Sequence, residues 1–257
     1  MVTVDGRSDL EVSLTELAAL SLTATPLAET LTTITALAVR AIPGADGAGL
    51  ALASPDGPAV IAASDDFVRV VDAIQFRLEE GPTLLAVRHG SVQVSGSLGG
   101  ESRWPHFGPA AGRLGLHSVL SLPLLADGQV IGALNAYGRL HRAFDEDSVR
   151  SGERFATPAA VSAANAAELE HSRQLAEQLR QAMISRPTID QAIGILMSRR
   201  GCDEHEAFEI LRRSSQGSST KVVEVARRLV QEAVQRARVL HAPEPPDELD
   251  DPSRSGP

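Results

Sequence analysis

The residue types best suited to holding a phosphate backbone gather in one stretch near the C-terminal end of the sequence. Arg199 and Arg200 precede Gly201, Arg212 and Arg213 form a second basic pair, and Ser218, Ser219, Thr220 and Lys221 follow as an unbroken run. Cations neutralise phosphate and hydroxyls donate to its oxygens. A helix beginning after Lys221 would add backbone N–H groups at the same place. Gln191 and Gly194 complete the set, the glycine because a residue without a Cβ lets a polynucleotide approach a helix closely. Phe208 is the one aromatic in this stretch and reads as core, so stacking on an unpaired base would fall to Arg199 or Arg200.

Other chemistry finds little support. Lys221 is the sole lysine and follows no glycine-rich loop, so no phosphate-binding Walker loop is present. Gly96-Ser97-Leu98-Gly99-Gly100 lacks dinucleotide-binding spacing and a following helix, and reads as a flexible loop. Cys202 has no evident base partner and reads as a small residue in a turn; the seven histidines are scattered, with no pair spaced as metal ligands. The sequence therefore points to no catalytic residue, no metal and no cofactor. Trp104, between Arg103 and Pro105, fits either the wall of a ligand pocket or a plug beneath a loop. Asn135, on an apolar run, fits either a polar contact inside such a pocket or a satisfied core amide.

The 257-residue chain has a formal net charge of −9, unevenly distributed. Residues 184–241 hold ten arginines and lysines against seven acids, a net of +3, whereas residues 1–183 carry −8 and residues 242–257 carry −4. One basic module on an acidic carrier is the asymmetry expected of a nucleic-acid output domain. A lone cysteine fits a reducing compartment. The charged N-terminus does not read as a signal peptide, and no stretch reaches the roughly 18 apolar residues of a membrane span. The expectation is a soluble cytoplasmic protein.

Residues 1–11 read as loose. Leu14, Leu17, Leu20, Leu27, Leu31, Ile34 and Ala38 predict helical packing interrupted near Pro26. Strands are predicted over 46–53, 60–62, 91–94, 118–125 and 130–137, with turns at 55–58 and 126–128 and helices over 68–78 and 83–89. From 159 to 183 no strong breaker occurs. Leu169, Ala176, Leu179 and Met183 recur at coiled-coil spacing with Ser172, predicting either a dimer seam or a helix lying on its own domain. Ile189, Ile193, Leu196 and Met197 pattern a helix stopped by Gly201. Asp203 and Glu206 form a capping box ahead of Ala207, Phe208 and Leu211, 214–220 is a break, and Val222 opens a third helix. The tail from Ala242 is acidic, proline-rich and expected to be disordered.

At Ala192-x-Gly194-Ile195-Leu196-Met197, Arg200-Gly201, Glu206-Ala207-Phe208-x-x-Leu211-Arg212 and Lys221-x-x-x-Val225-Ala226 the chain resembles the ANTAR domain, an RNA-binding module of transcription antitermination regulators. Many such sequences carry a lysine at the position of Ile193. Upstream, Ile42-Pro43-Gly44-Ala45-Asp46, Glu80-Gly81-Pro82, Arg103-Trp104-Pro105, Gly115-x-x-Ser118-x-x-Ser121-x-Pro123-Leu124, Gly132-Ala133-Leu134-Asn135 and Ala143-Phe144 resemble a GAF sensor domain. No cysteine precedes Cys202, which removes the bilin attachment and sulfoxide reduction that some GAF domains perform. The implied fold is α+β: a GAF-like antiparallel sheet with flanking helices over 12–158, a helical linker over 159–184, and a three-helix bundle over 185–241. The implied function is a non-enzymatic, homodimeric antitermination regulator of the actinobacterial type. It would bind hairpins in nascent transcripts under control of a small-molecule ligand or a redox state, with no membrane partner. A DNA-binding regulator with a GAF sensor is the alternative. Against it, no second helix presents the polar and basic set of a recognition helix.

Overall fold

The computed structural model describes residues 8–20, 25–53 and 59–240, in two compact units that meet at 173/174. The first unit begins with helices α1 (Asp9–Ala18) and α2 (Leu27–Ala41), followed by strands β1 (Gly47–Leu52) and β2 (Ala59–Ala63). Helices α3 (Asp66–Leu78) and α4 (Pro82–His89) then lead to the short strand β3 (Gln93–Ser95), α5 (Phe107–Arg113) and the hairpin of β4 (Ser118–Ala126) and β5 (Gln129–Gly138). All five strands form one antiparallel sheet in the order β2-β1-β5-β4-β3.

Strand periodicity divides the first unit into two cores. Ala48, Leu50, Leu120, Leu122, Leu124, Leu134 and Ala136 face one way, onto α1, α2 and the start of α6 (Glu146–Arg200), where Phe155, Ala159 and Ala163 are buried. The intervening positions Gly47, Gly49, Val119, Ser121, Asn135 and Tyr137 face α3 and α5, where Val68, Val71, Trp104, Phe107 and Ala111 complete a second core. At the β4–β5 hairpin, Asp127 and Gly128 both adopt left-handed φ (51° and 74°). That pair matches the right-handed twist of the strands it joins.

Several sequence expectations need correction. Residues 8–11 are not loose: Ser8 caps α1, its Oγ accepting from Glu11 N–H while Glu11 accepts from Ser8 N–H. Residues 1–7, the turn at 55–58 and the tail from 242 lie outside the described residues. The helix α5 was absent from the reading, and Leu98–Gly100, read as flexible, forms a 3-10 turn.

The longest element is α6, a single helix that runs through both Pro158 and Pro187 and so takes in the helix closing the sheet domain, the linker and the first helix of the module. A proline removes one helical N–H and crowds the carbonyl four residues back. At Pro158 the flanking Phe155, Ala156, Ala159 and Ala160 are buried in the core, which offsets the loss. At Pro187 the released carbonyl belongs to Met183, a residue 77% exposed in a stretch where burial forces no polar group to go unsolvated. Every residue from 171 to 184 is exposed.

The second unit contains the end of α6 with α7 (Glu204–Ser218) and α8 (Val222–Leu240). Gly201, at φ 65°, ends α6 with its N–H on Met197 O, and Asp203 and Glu206 form the expected capping box for α7. The core is small: Ala192, Ile193, Leu196, Ala207, Leu211 and Ala226, flanked by half-buried Ile189, Val222, Val225 and Leu229. The lysine common at the position of Ile193 would have to enter this core.

Candidate nucleic-acid interface and sensor interior

Two grooves mark the second unit, and their chemistry differs. The groove between α6 and α7, of about 730 Å³, has Ile189, Ile193 and Phe208 along its floor and Asp190, Asp203 and Glu204 around it, against Arg186 and His205. Phe208 is 41% exposed there, which overturns its assignment to the core. The capping box fixes the phase of α7, so that Ala207 and Leu211 point inward and Phe208, one position round, does not.

The groove between α6 and α8, of about 560 Å³, contains no acid. Ile195, Val230, Ala233 and Val234 form apolar walls; Gln191, Ser198 and Arg199 supply the polar groups and Gly194 the floor. Three of the residues singled out in the sequence, Gln191, Gly194 and Arg199, thus come together. The side chains of Arg199 and Arg200 are exposed and make no ion pair among the described residues.

The remaining predicted contacts lie at and before the α7–α8 junction, where the break is shorter than expected. Residues 214–218 are helical, and only Ser219, in the left-handed region at φ 50°, Thr220 and Lys221 separate α7 from α8. The hydroxyls are turned inward: Ser218 Oγ donates to Ser214 O at 2.8 Å, Thr220 Oγ1 to Ser218 O at 3.1 Å, and Ser215 Oγ to Thr220 O at 2.5 Å. Arg212 is held by Glu209 through bonds of 2.7–3.1 Å, and Arg213 donates to Glu209 O. Lys221 is exposed and has no ion-pair partner among the described residues, while its carbonyl accepts from Glu224 N–H and Val225 N–H at the start of α8.

In the first unit both candidate pocket residues are buried. Trp104 is 1% exposed, edge-on to Phe107 at 6.4 Å between centroids, with the Arg103 guanidinium 4.5 Å from its ring centre and its Nε1 without a partner among the described residues. Asn135 belongs to a buried polar network. Its Oδ1 accepts from Ser121 Oγ at 2.6 Å, and its Nδ2 donates to Asp72 Oδ1 at 3.2 Å. The same Asp72 oxygen accepts from Gln75 Nε2 at 3.2 Å and from Tyr137 OH, whereas Oδ2 has no partner among the described residues and lies 2.1 Å from where a Cβ on Gly49 would stand. Burial pushes the Asp72 carboxyl up to about 7 despite these donors.

The sheet, its helices and the downstream helical unit define a sensor-type α+β domain preceding an output module. The GAF domain family profile matches residues 24–162, more than half of the sequence, so the chain belongs to the GAF domain family, and the ANTAR domain profile matches residues 177–230. Both are regulatory domains, and their order makes the chain a sensor-regulated regulator. Among solved structures the chain is similar to the GAF domain of an Acinetobacter phosphoenolpyruvate-protein phosphotransferase, with 14% identity, a TM-score of 0.49, and 63% of this chain and 95% of that one covered. It is also similar to the GAF domain of the Coxiella burnetii phosphoenolpyruvate-protein phosphotransferase, with 20% identity, a TM-score of 0.46, and 66% and 95% covered. A third is the free methionine-R-sulfoxide reductase from Neisseria meningitidis in complex with its substrate, with 17% identity, a TM-score of 0.47, and 62% and 89% covered. No curated protein matches the sequence. Among the described residues no helix is long and apolar enough to cross a membrane.

Proposed function

We propose that this chain is a cytoplasmic, homodimeric regulator of transcription antitermination, of the actinobacterial type, that binds RNA hairpins in nascent transcripts through its second unit. The observation that carries the reading is electrostatic. The acid-free α6–α8 groove, and Arg199, Arg200 and Lys221, which have no ion-pair partner among the described residues, lie in the net-basic part of an acidic chain. Phosphate would be met by these three cations first. Arg212 and Arg213 keep N–H donors beyond their bonds to Glu209, the charge of Arg212 being offset by that carboxylate, whereas Ser218 and Thr220 engage phosphate only by giving up bonds they already make, and Ser219 adds its hydroxyl at the turn. The input is a small molecule in the first unit, beside Asn135 and Trp104. The unpartnered Trp104 Nε1 and Asp72 Oδ2, buried on the same side of the sheet, support that interior as the place of engagement. Protomers pair along α6 through Leu169, Ala176, Leu179 and Met183, of which the last three are exposed.

The test is affinity for stem–loop RNAs and for duplex DNA at several salt concentrations, wild type beside Lys221→Ala. Hairpins should bind more tightly than duplex DNA. The variant should bind more weakly, with the magnitude of its salt slope reduced by about one, the signature of one lost phosphate contact. Tighter binding to duplex DNA would replace RNA with the DNA-binding alternative, and equal slopes would remove Lys221 from the interface.

A further inference from the structure

We infer that the α6–α8 groove is a receptacle for a single unpaired base of the bound RNA, an inference that rests on the RNA-binding reading above. Gly194 is the first reason. It lies well inside α6, where glycine costs about 1 kcal/mol relative to alanine, and nothing in the fold asks for it. Its φ is not left-handed, and no heavy atom lies within 4 Å of where its Cβ would stand. A helix interior that carries a glycine with no internal use leaves its backbone open to something outside.

The surroundings specify what that is. The walls made by Ile195, Val230 and Val234 are aliphatic, and Val234 is 45% exposed to water in the free chain. They suit the faces of a planar ring. The side-chain amide of Gln191 makes no hydrogen bond among the described residues and brings a donor and an acceptor on one group, the pair a base edge requires. Arg199, a cation without an ion-pair partner among the described residues, stands in the same groove, able to stack on the base or meet its phosphate. The α6–α7 groove makes the contrast: it holds the module's aromatic, Phe208, yet its three acids oppose a phosphate backbone. At about 560 Å³ the α6–α8 groove is within the roughly 300–1,000 Å³ of small-ligand sites. A duplex buries its base faces in the stack, so this groove selects a nucleotide already splayed out of a loop.

The experiment uses the intact chain and stem–loop RNAs enriched from a randomised loop, then remade with one abasic site at each loop position in turn. Wild type should lose at least about tenfold in affinity at one abasic position and little at the others. Gly194→Leu fills open space, so its circular dichroism should match wild type. It should lose a similar factor on the intact hairpin and nothing further on the critical abasic one. Gln191→Ala, an exposed side chain, should weaken binding and flatten the preference for base identity at that position. Equal affinity of wild type and Gly194→Leu for the hairpin, or uniform tolerance of abasic sites, would overturn the base receptacle while leaving RNA binding intact. A Gly194→Leu chain with altered oligomeric state and unchanged RNA affinity would give the groove to a second copy of the chain and likewise overturn it. Failure of wild type to enrich any stem–loop would overturn both readings.

Discussion

Asp72 brings three donors onto one carboxylate oxygen and leaves the other against the backbone of Gly49; burial outweighs those donors, and the carboxyl holds a proton up to about pH 7. In the unfolded chain the same group ionises near 3.8. Between those values the folded state binds more protons, so the group's contribution to stability is greatest below pH 3.8 and is lost as pH rises towards 7. At about 1.36 kcal/mol per pH unit, the loss across that window is on the order of 4 kcal/mol. Asp72→Asn keeps the accepting oxygen and has nothing to ionise. Its melting temperature should match wild type near pH 4 and exceed it by several degrees at pH 8, as followed by thermal melts across that range. A wild-type excess at pH 8 would mean that the ionised carboxylate is the stabilising form. This network was partly legible in the sequence. Asn135 stands out in the sequence as an amide on an apolar strand, which fits a satisfied core amide, whereas nothing in the sequence singles out Asp72 or Gln75. They are polar positions one turn apart on a helix whose other inward residues are Val68 and Val71, a pattern that exposes buried polarity only once the inward face is known.

Helix α6 makes the claim that belongs to the scale of elements. Over residues 171–184 no side chain is covered, yet Leu175, Leu179, Met183 and Ile184 are 48–77% exposed, an apolar density that a lone helix in water does not favour. If protomers pair here, aspartate at both Leu179 and Met183 should raise the dimer dissociation constant by about a hundredfold or more through buried like charge, read by sedimentation. Both positions are solvent-facing, so circular dichroism should not change. A dimer of unaltered stability would assign the interface to another surface. Elements with strong local punctuation were readable from sequence: the capping box at Asp203, the stop at Gly201, the hairpin at Asp127-Gly128 and the interruption at Pro26. The unreadable ones lack it or contradict it. Helix α5 is a single short element holding Gly108, Pro109 and Gly112, and what secures it is distant: the Glu80 carboxylate accepts from the N–H groups of His106 and Phe107. Helix α6 runs through two prolines because packing around one offsets the lost bond and the other lies in a solvent-exposed stretch.

At the scale of the molecule the charge is segregated, +3 over 184–241 against −8 over 1–183. An acidic first unit adds nothing to phosphate attraction and subtracts from it at low salt. Removing residues 1–158 should therefore leave hairpin affinity within about threefold of the intact chain at physiological salt and tighten it at low salt, where screening fades. Titration of labelled hairpin at two salt concentrations reads both effects. Loss of binding by a truncated chain that remains helical would show that the first unit carries contacts of its own. The broad division of the chain was legible because composition, charge and periodicity all change sign or period between 159 and 185. Which face of the helical unit meets RNA was not, since the two grooves draw on interleaved residues of α6: Asp190 on one, Gln191 on the other.

Trp104 and Tyr137 are the chain's sole indole and phenol, and both are buried in the first unit, the indole beneath the Arg103 guanidinium. Cys202, the sole thiol, is half-buried in the second. Near-ultraviolet emission from the unlabelled protein is thus blind to the helical module, and thiol alkylation is blind to the sensor. One chain, unaltered, carries two reporters whose signals do not cross. Ligand entry beside Trp104 would register as a change in fluorescence, and any answering change around the turn at Cys202 as a change in labelling rate, each timed against the other in the same sample.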